Sequence, residues 1–230
     1  MGLINNALIV GGGIGGMCAA IQLRKLGVEV TLIEQNPNWA PDGAGITISG
    51  PTLRALRTVG VIDEVLRLGG HWNAVDVCDG AGNLKVSVPV LPAVGADGLP
   101  GAGGIMRPVL ADILGHATQK AGADVRLGLT FTSMVQDEAG VDVQFSNGTQ
   151  GRFDLVIGAD GVNSAVRKLV LPDFAGPQFT GQGSWRAVVP RTRENSTIYM
   201  GRNTKAGLNP ISDTECCLLY TSDAADDLLC

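Results

Sequence analysis

A chain of 230 residues, 45% hydrophobic and 17% charged, is long enough to bury a core as one large domain or two small ones, and 33 glycines suit a turn-rich α/β chain better than a helical bundle. A net charge of −5 without a basic block gives nucleic-acid binding no electrostatic support, and five irregularly spaced cysteines make neither a disulfide framework nor a zinc pattern. Glycines interrupt the first apolar stretch, which has no basic region ahead of it, so neither a signal peptide nor a membrane span is expected and the cytoplasm is the expected address.

Ala7-Leu-Ile-Val10 reads as a strand covered on both faces, as in a parallel sheet. Gly11-Gly-Gly-Ile-Gly-Gly16 follows at once, with Gly11, Gly13 and Gly16 in the three glycine positions of G-x-G-x-x-G. The first allows a tight turn, the second lets a pyrophosphate approach the backbone, and the third lets helix and strand pack closely. A helix is predicted through Met17–Leu26, stopped by Gly27, and a second strand over Val28–Ile33. Glu34 then stands about 20 residues past the glycines, where a carboxylate binds a ribose hydroxyl pair and repels a 2′-phosphate. Strand, turn, helix, strand and acid in that order predict a dinucleotide site. NAD and FAD share this unit, so the residues alone leave the choice between them open.

Gln35–Gly45 is a loop by composition, and Ile46-Thr-Ile48 a short apolar stretch beside it. Pro51 opens a helix with Leu53, Leu56 and Val59 on one face, and Val61–Leu68 continues as a second helical piece. Trp72–Val77 and Leu84–Val88 alternate around Asp79-Gly-Ala-Gly82, which predicts a hairpin. Pro89–Gly104 has no period and is expected to be a mobile loop. Arg107-Pro108 begins a helix carrying Leu110, Ile113 and Leu114. Strands are predicted over Asp124–Leu129, Thr132–Gln136, Val141–Phe145 and Phe153–Ile157, with Leu155-Val-Ile157 buried. Gly158-Ala-Asp-Gly161 follows, and Ser164 caps a helix over Ala165–Val170. From Gly183 the pattern changes to strands without helices, Trp185–Val189, Thr197–Met200 and Lys205–Ile211, the start of an antiparallel sheet. His71 and His116 have no partner constellation, Cys18 reads as a small buried residue, and Trp39, Trp72 and Trp185 read as packing residues.

Three separated signatures agree: Gly11–Gly16 with Glu34, the Arg107-x-x-Leu110-x-x-x-Leu114 helix start, and Gly158-Ala-Asp160-Gly161 with Ser164 and Arg167. On these the chain resembles the class A FAD-dependent flavoprotein monooxygenases, aromatic hydroxylases of the p-hydroxybenzoate and salicylate hydroxylase type. Gly43-Ala-Gly45-Ile46 and Trp185-Arg186 sit in similar surroundings, and the resemblance covers residues 4 to 216. It implies an α/β fold: a Rossmann-like FAD-binding domain over residues 1–70 and 103–175, and part of a mainly antiparallel substrate domain over 71–102 and 176–216. It also implies that Gly11, Gly13, Ile14, Gly15 and Gly16 hold the FAD pyrophosphate and that Glu34 and Gln35 hold the adenosine ribose. Arg107 would reach the phosphate region, Asp160 and Gly161 would lie near FAD and the nicotinamide donor, and Gly45 and Ile46 would border the cofactor. Arg186 is the catalytic candidate near the flavin ring or substrate.

The implied reaction uses NADH or NADPH as a transient donor and O₂ to hydroxylate a small aromatic substrate through a flavin hydroperoxide. The competing readings are an NAD-dependent dehydrogenase and a catalytically inactive nucleotide-binding fragment. The family's second flavin motif, Gly-Asp-Ala followed by Ala or Ser and His, is absent; Asp223-Ala-Ala225 lacks both the glycine and the histidine. Residues 217–230 resemble the translation of a sequencing-library transposon adapter, so natural sequence is expected to end near Glu215 or Cys216. Substrate identity, the choice between NADH and NADPH, and oligomeric state are left open.

Overall fold

The computed structural model describes residues 4–41 and 43–223. Strand β1 (Asn6–Val10) is buried from Ala7 onward, as its unbroken apolar run requires. Helix α1 (Ile14–Lys25) starts after Gly13, and Gly27 at φ 83° turns the chain into β2 (Glu29–Glu34). Next come β3 (Gly45–Ser49), α2 (Gly50–Val59), with Pro51 in its first turn and Gly60 at φ 94° ending it, and α3 (Ile62–Leu68). Strands β4 (Gly70–Trp72), β5 (Ala74–Asp79), β6 (Leu84–Pro89) and β7 (Ala102–Met106) lead to helix α4 (Arg107–Lys120). Strands β8 (Asp124–Leu127), β9 (Phe131–Gln136), β10 (Val141–Phe145), β11 (Gln150–Phe153) and β12 (Leu155–Gly158) precede α5 (Ala165–Val170). The chain closes with β13 (Gln182–Pro190), β14 (Ser196–Met200), β15 (Lys205–Pro210) and β16 (Glu215–Asp223).

The chain forms two compact units, Met1–Pro41 with Ala111–Pro177, and Asp42–Leu110 with Gln178–Cys230. In the first, a parallel sheet of order β12-β1-β2-β8 is joined by an antiparallel sheet β11-β10-β9. Leu8, Val10, Ile33, Leu129, Val143, Phe145, Phe153 and Val166 make one apolar cluster between them. Phe145 and Phe153 meet edge to face at 6.4 Å.

The single strand expected over Phe153–Ile157 is in fact two. Asp154 breaks it: its carboxylate accepts the backbone N–H groups of Asn5 (2.7 Å) and Asn6 (3.2 Å), while Asn6 Oδ1 accepts the Asp154 N–H at 2.7 Å. Phe153 thus ends in the antiparallel sheet and Leu155 begins in the parallel one. β12 lies at the edge of that sheet, so Leu155–Ile157 is half-buried rather than buried.

In the second unit a six-stranded sheet runs β13-β16-β15-β14-β5-β6, antiparallel except for the β14–β5 pair. A three-stranded sheet β3-β7-β4 packs on it. Residues 42–70 and 103–110, expected with the dinucleotide unit, group here instead. The reason is contact: a Cβ on Gly45 would lie 2.8 Å from Cys217 Cβ, and one on Gly70 would lie 2.6 Å from the Pro210 carbonyl carbon.

The loop expected to be mobile over Pro89–Gly104 ends at Gly101 and is held. Arg54 and Arg57 on α2 donate to the carbonyls of Val94, Gly95 and Asp97, Asn73 Oδ1 accepts the Gly101 N–H at 2.9 Å, and Ala96 is fully buried. No break marks the boundary expected at Cys217. β16 crosses it, seated between β13 and β15 with Cys216 and Cys217 buried. Residues 224–230, including Ala224 and Ala225, lie outside the described residues.

Candidate functional site

The turn after β1 is shaped by the backbone. Gly11 sits at φ 107°, its N–H donates to Ile33 O at 2.9 Å, and a Cβ there would overlap the Ala159 carbonyl. A Cβ on Gly16 would overlap the Gly11 carbonyl oxygen, so strand and helix meet at van der Waals contact. Gly13 and Gly15 differ: a Cβ on either would meet nothing within 4 Å. The protein's own packing therefore does not demand glycine there, and the open space lies at the start of α1. The first backbone bond into that helix is Met17 N–H to Gly13 O at 2.9 Å, and no acidic side chain occupies the first turn. Free N–H groups and the positive end of the helix dipole suit an anion at this point.

Glu34 ends β2 beside this turn. Its Oε2 accepts the Gly12 N–H and its Oε1 the Asn36 N–H, both at 2.7 Å. The Trp39 indole N–H donates to Gly12 O at 2.8 Å, so Gly12 is gripped at both its polar groups. Trp39 does more than the packing expected of it, and among the described residues it is the sole non-glycine at positive φ (48°). Nothing in the local sequence signals that conformation.

A cavity of about 380 Å³ adjoins the turn in this unit. Its wall includes Gly11, Gly13, Glu34, Gln35, Asp160 and Gly161, six residues singled out from the sequence, together with Leu129, Thr130 and Asn163, which were not. Leu129 and Thr130 lie on the connection from β8, whose approach to Glu34 is a product of the sheet order (Leu129 N–H to Glu34 O, 3.0 Å). Ile14, Gly15 and Gly16 stand in the first turn of α1.

Asp160 has a structural duty that the sequence reading did not assign it. Its carboxylate accepts from the Ser164 hydroxyl, from Ala165 N–H (2.7 Å) and from Val166 N–H (3.1 Å), while Ser164 Oγ caps α5 by accepting Arg167 N–H at 2.9 Å. Partial burial pushes the Asp160 carboxyl up. The hydrogen bonds from Ser164, Val166, its own N–H and Ala165 outweigh that and hold it below the ordinary value. Burial raises the Cys18 thiol on α1, which is half-buried rather than buried, so it is no ready nucleophile.

The second unit gathers the other predicted residues. Gly43, at φ 135°, lies under the Arg107 side chain: a Cβ there would be 3.3 Å from Arg107 Cδ. The Arg107 N–H donates to Ala44 O at 3.3 Å. Arg186 on β13 donates to the Gly45 carbonyl at 2.9 Å, and Ile46 pairs with Ile105 on β7. Among the described residues neither Arg107 nor Arg186 pairs with a carboxylate, which leaves two uncompensated cations. Trp185, expected to pack, is 70% exposed, whereas Trp72 is buried; His71 and His116 are exposed.

Among the described residues there is no His, Cys, Asp and Glu cluster able to hold a metal ion, and no helix is long and apolar enough to cross a membrane. The chemistry this arrangement suits is the binding of a diphosphate and a ribose, with redox work left to the ligand.

Comparison with known proteins agrees with the geometry. The sequence model of a family described as FAD binding domain matches residues 5–220. The chain is 32% identical over 217 residues to 2-heptyl-3-hydroxy-4(1H)-quinolone synthase of Pseudomonas aeruginosa, covering 90% of this chain and 54% of that protein. It is 30% identical over 226 residues to aurachin C monooxygenase/isomerase of Stigmatella aurantiaca, covering 95% and 57%. Among solved structures, 2-methyl-3-hydroxypyridine-5-carboxylic acid oxygenase superposes with a TM-score of 0.77 at 26% identity, over 98% of this chain and 60% of that one. The chain thus spans little more than half the length of the relatives it matches.

Proposed function

Because this chain belongs to the FAD binding domain family and its relatives include named monooxygenases, we propose that it is the flavin-binding part of an aromatic hydroxylase driven by NADH or NADPH and O₂. The observation that carries the reading is the empty space above Gly13 and Gly15, at a helix start, beside a cavity that also holds Glu34 and Asp160.

When bound, FAD supplies the chemistry: it takes reducing equivalents from the nicotinamide donor and activates O₂. The chain's residues bind and orient. The N–H groups at the start of α1, those of Ile14 and Gly15 among them, hold the diphosphate, while Gly11, Gly13 and Gly16 shape the turn that admits it. Each Glu34 oxygen accepts one backbone N–H in the structure and keeps a second acceptor site, enough for a ribose hydroxyl pair; Gln35 stands beside it. The same carboxylate repels a 2′-phosphate. Arg107 is a cation without an acidic partner among the described residues, suited to the phosphates. Asp160, tied to the start of α5, fixes the Gly158–Gly161 turn and so the cavity wall. By the family resemblance Gly45 and Ile46 are assigned to the cofactor, and Arg186, which donates to the Gly45 carbonyl, to the flavin ring or substrate.

The test is turnover by the complete gene product with a panel of phenols and hydroxylated heteroaromatics. The reading expects FAD-dependent consumption of NADH or NADPH and a product heavier by one oxygen atom. A colourless protein that reduces NAD⁺ with an alcohol or hydroxy acid overturns it in favour of a dehydrogenase.

A further inference from the structure

The pairing registers of the six-stranded sheet put Arg186, Leu219, Gly207, Ile198 and Val77 in one row across five strands. Directly paired residues share a sheet face, and so do residues two positions along a strand. Asn209, Ser196 and Val75 therefore stand on the face that bears Arg186. The sheet β3-β7-β4 covers part of this face, and between the two sheets the second unit holds a cavity of about 640 Å³.

Every residue lining that cavity is uncharged. Val75 and Ile198 line it from the six-stranded sheet, Trp72 and Ala102 from β4 and β7, and Val90 and the exposed Leu91 from the segment after β6. The charged side chains nearby are not in the lining and are held by other groups, Arg186 by the Gly45 carbonyl. Asp76 lies on the opposite face of β5, where Ser87 (2.6 Å) and Asn195 (3.4 Å) donate to it, and Arg54 and Arg57 are spent on loop carbonyls.

One polar chain crosses the cavity. Ser196 Oγ donates to Asn209 Oδ1, and Asn209 Nδ2 donates to Thr47 Oγ1 at 3.2 Å. The Thr47 oxygen is the acceptor in that bond, so its own proton is available, and Asn209 keeps a second N–H. The cavity thus offers hydrogen-bond donors against an apolar background. A carboxylate entering it would shed part of its hydration and meet no cationic side chain in the lining, only the opening residues of α2, Ser49 to Pro51.

We infer that this cavity takes the ring of a neutral aromatic molecule bearing one hydrogen-bond acceptor, such as a carbonyl or ring nitrogen, and rejects aromatic carboxylates. The volume lies within the usual range for small-ligand pockets, and a donor or two in an apolar wall is their usual equipment. The inference rests on the hydroxylase reading for its role in catalysis, since it names the substrate class, but the binding itself needs no flavin.

The test compares two probes of matched shape, 4-ethylacetophenone and 4-ethylbenzoate, by ligand-observed NMR titration of the chain without FAD. The ketone binds saturably and the benzoate at least about tenfold more weakly, a difference of about 1.4 kcal/mol. Thr47→Val weakens the ketone about fivefold, the worth of one hydrogen bond. Leu91 lines the cavity and is 79% exposed, so Leu91→Lys spares the fold, and its new cation raises benzoate affinity. Equal or tighter benzoate binding by the unaltered chain overturns the inference. So does saturation by neither probe, or a ketone affinity that Thr47→Val and Leu91→Lys both leave unmoved. A chain that discriminates between the probes yet fails to take up FAD refutes the flavin reading and not this one.

Discussion

Gly13 and Gly16 offer a paired perturbation whose outcomes differ in kind. Gly13 sits at φ −73°, ψ −179°, an extended conformation that alanine adopts freely, and a Cβ there meets nothing within 4 Å. Gly13→Ala should therefore leave the ligand-free fold intact, the gain of about 0.4–1 kcal/mol from a less flexible unfolded chain being offset by alanine's poorer fit at the N-cap of α1. For a chain of this length the melting temperature should stay within about 4 °C of the native value. The same methyl occupies the space assigned to the diphosphate, so FAD affinity should fall tenfold or more.

Gly16→Ala reverses the pattern. Alanine gains about 1 kcal/mol of helix propensity over glycine, but its Cβ would overlap the Gly11 carbonyl oxygen and sit 3.3 Å from Ile9 Cγ2. Backbone cannot swing aside as a side chain can, and such overpacking costs about 1–3 kcal/mol or more. The expected net result is a lower melting temperature without ligand. Thermal melts with and without FAD, paired with flavin-fluorescence titration, read both effects. At a hundredfold excess over its dissociation constant, FAD stabilises the native chain by about 2.7 kcal/mol, and Gly13→Ala should forfeit most of that. If Gly13→Ala retains native FAD affinity, the diphosphate does not pass over this residue and the account of the turn is wrong.

Asp160→Asn replaces a carboxylate that accepts three hydrogen bonds at the start of α5 with a neutral amide and should cost about 1–2 kcal/mol at pH 7 in urea unfolding. Because the folded carboxyl is held below its ordinary value, its contribution is present above about pH 4 and fades as the pH falls through the folded value, so variant and native chain should converge in acid. Trp39→Phe deletes the donor to Gly12 O, worth about 1 kcal/mol. It should weaken FAD several-fold and abolish most of the tryptophan quenching that FAD produces; unchanged quenching would point to Trp72 or Trp185 instead. Arg54→Ala with Arg57→Ala should speed amide exchange across residues 90–101 while barely moving the global melt, and protection that persists in the double variant would show the loop is held by other means.

The β1–turn–α1–β2 unit was legible because each step has a local cause: an unbroken apolar run, glycines at fixed offsets, and an acid at the strand end. The Ser164 cap was readable for the same reason. What escaped depends on partners distant in sequence. Asp154 divides one apparent strand into two by bonding Asn5 and Asn6, some 148 residues away. Arg54 and Arg57 look like a solvated helix face until the loop carbonyls about 40 residues on are seen to accept from them. The family resemblance puts residues 43–70 and 103–110 in the dinucleotide unit, and it carries no information on contacts such as those of Gly45 and Gly70 against Cys217 and Pro210. The grip of Trp39 on Gly12 required a positive φ that no tryptophan advertises. Leu129 and Thr130 reach the cavity wall only because β8 pairs with β2.

The account rests on the Gly11–Gly16 turn receiving a flavin dinucleotide, and equilibrium titration of the purified chain with FAD and, separately, with NAD⁺ tests it most directly. It predicts saturable, one-to-one quenching of flavin fluorescence and no measurable affinity for NAD⁺ over the same concentration range. Uptake of NAD⁺ with FAD left free in solution would contradict it.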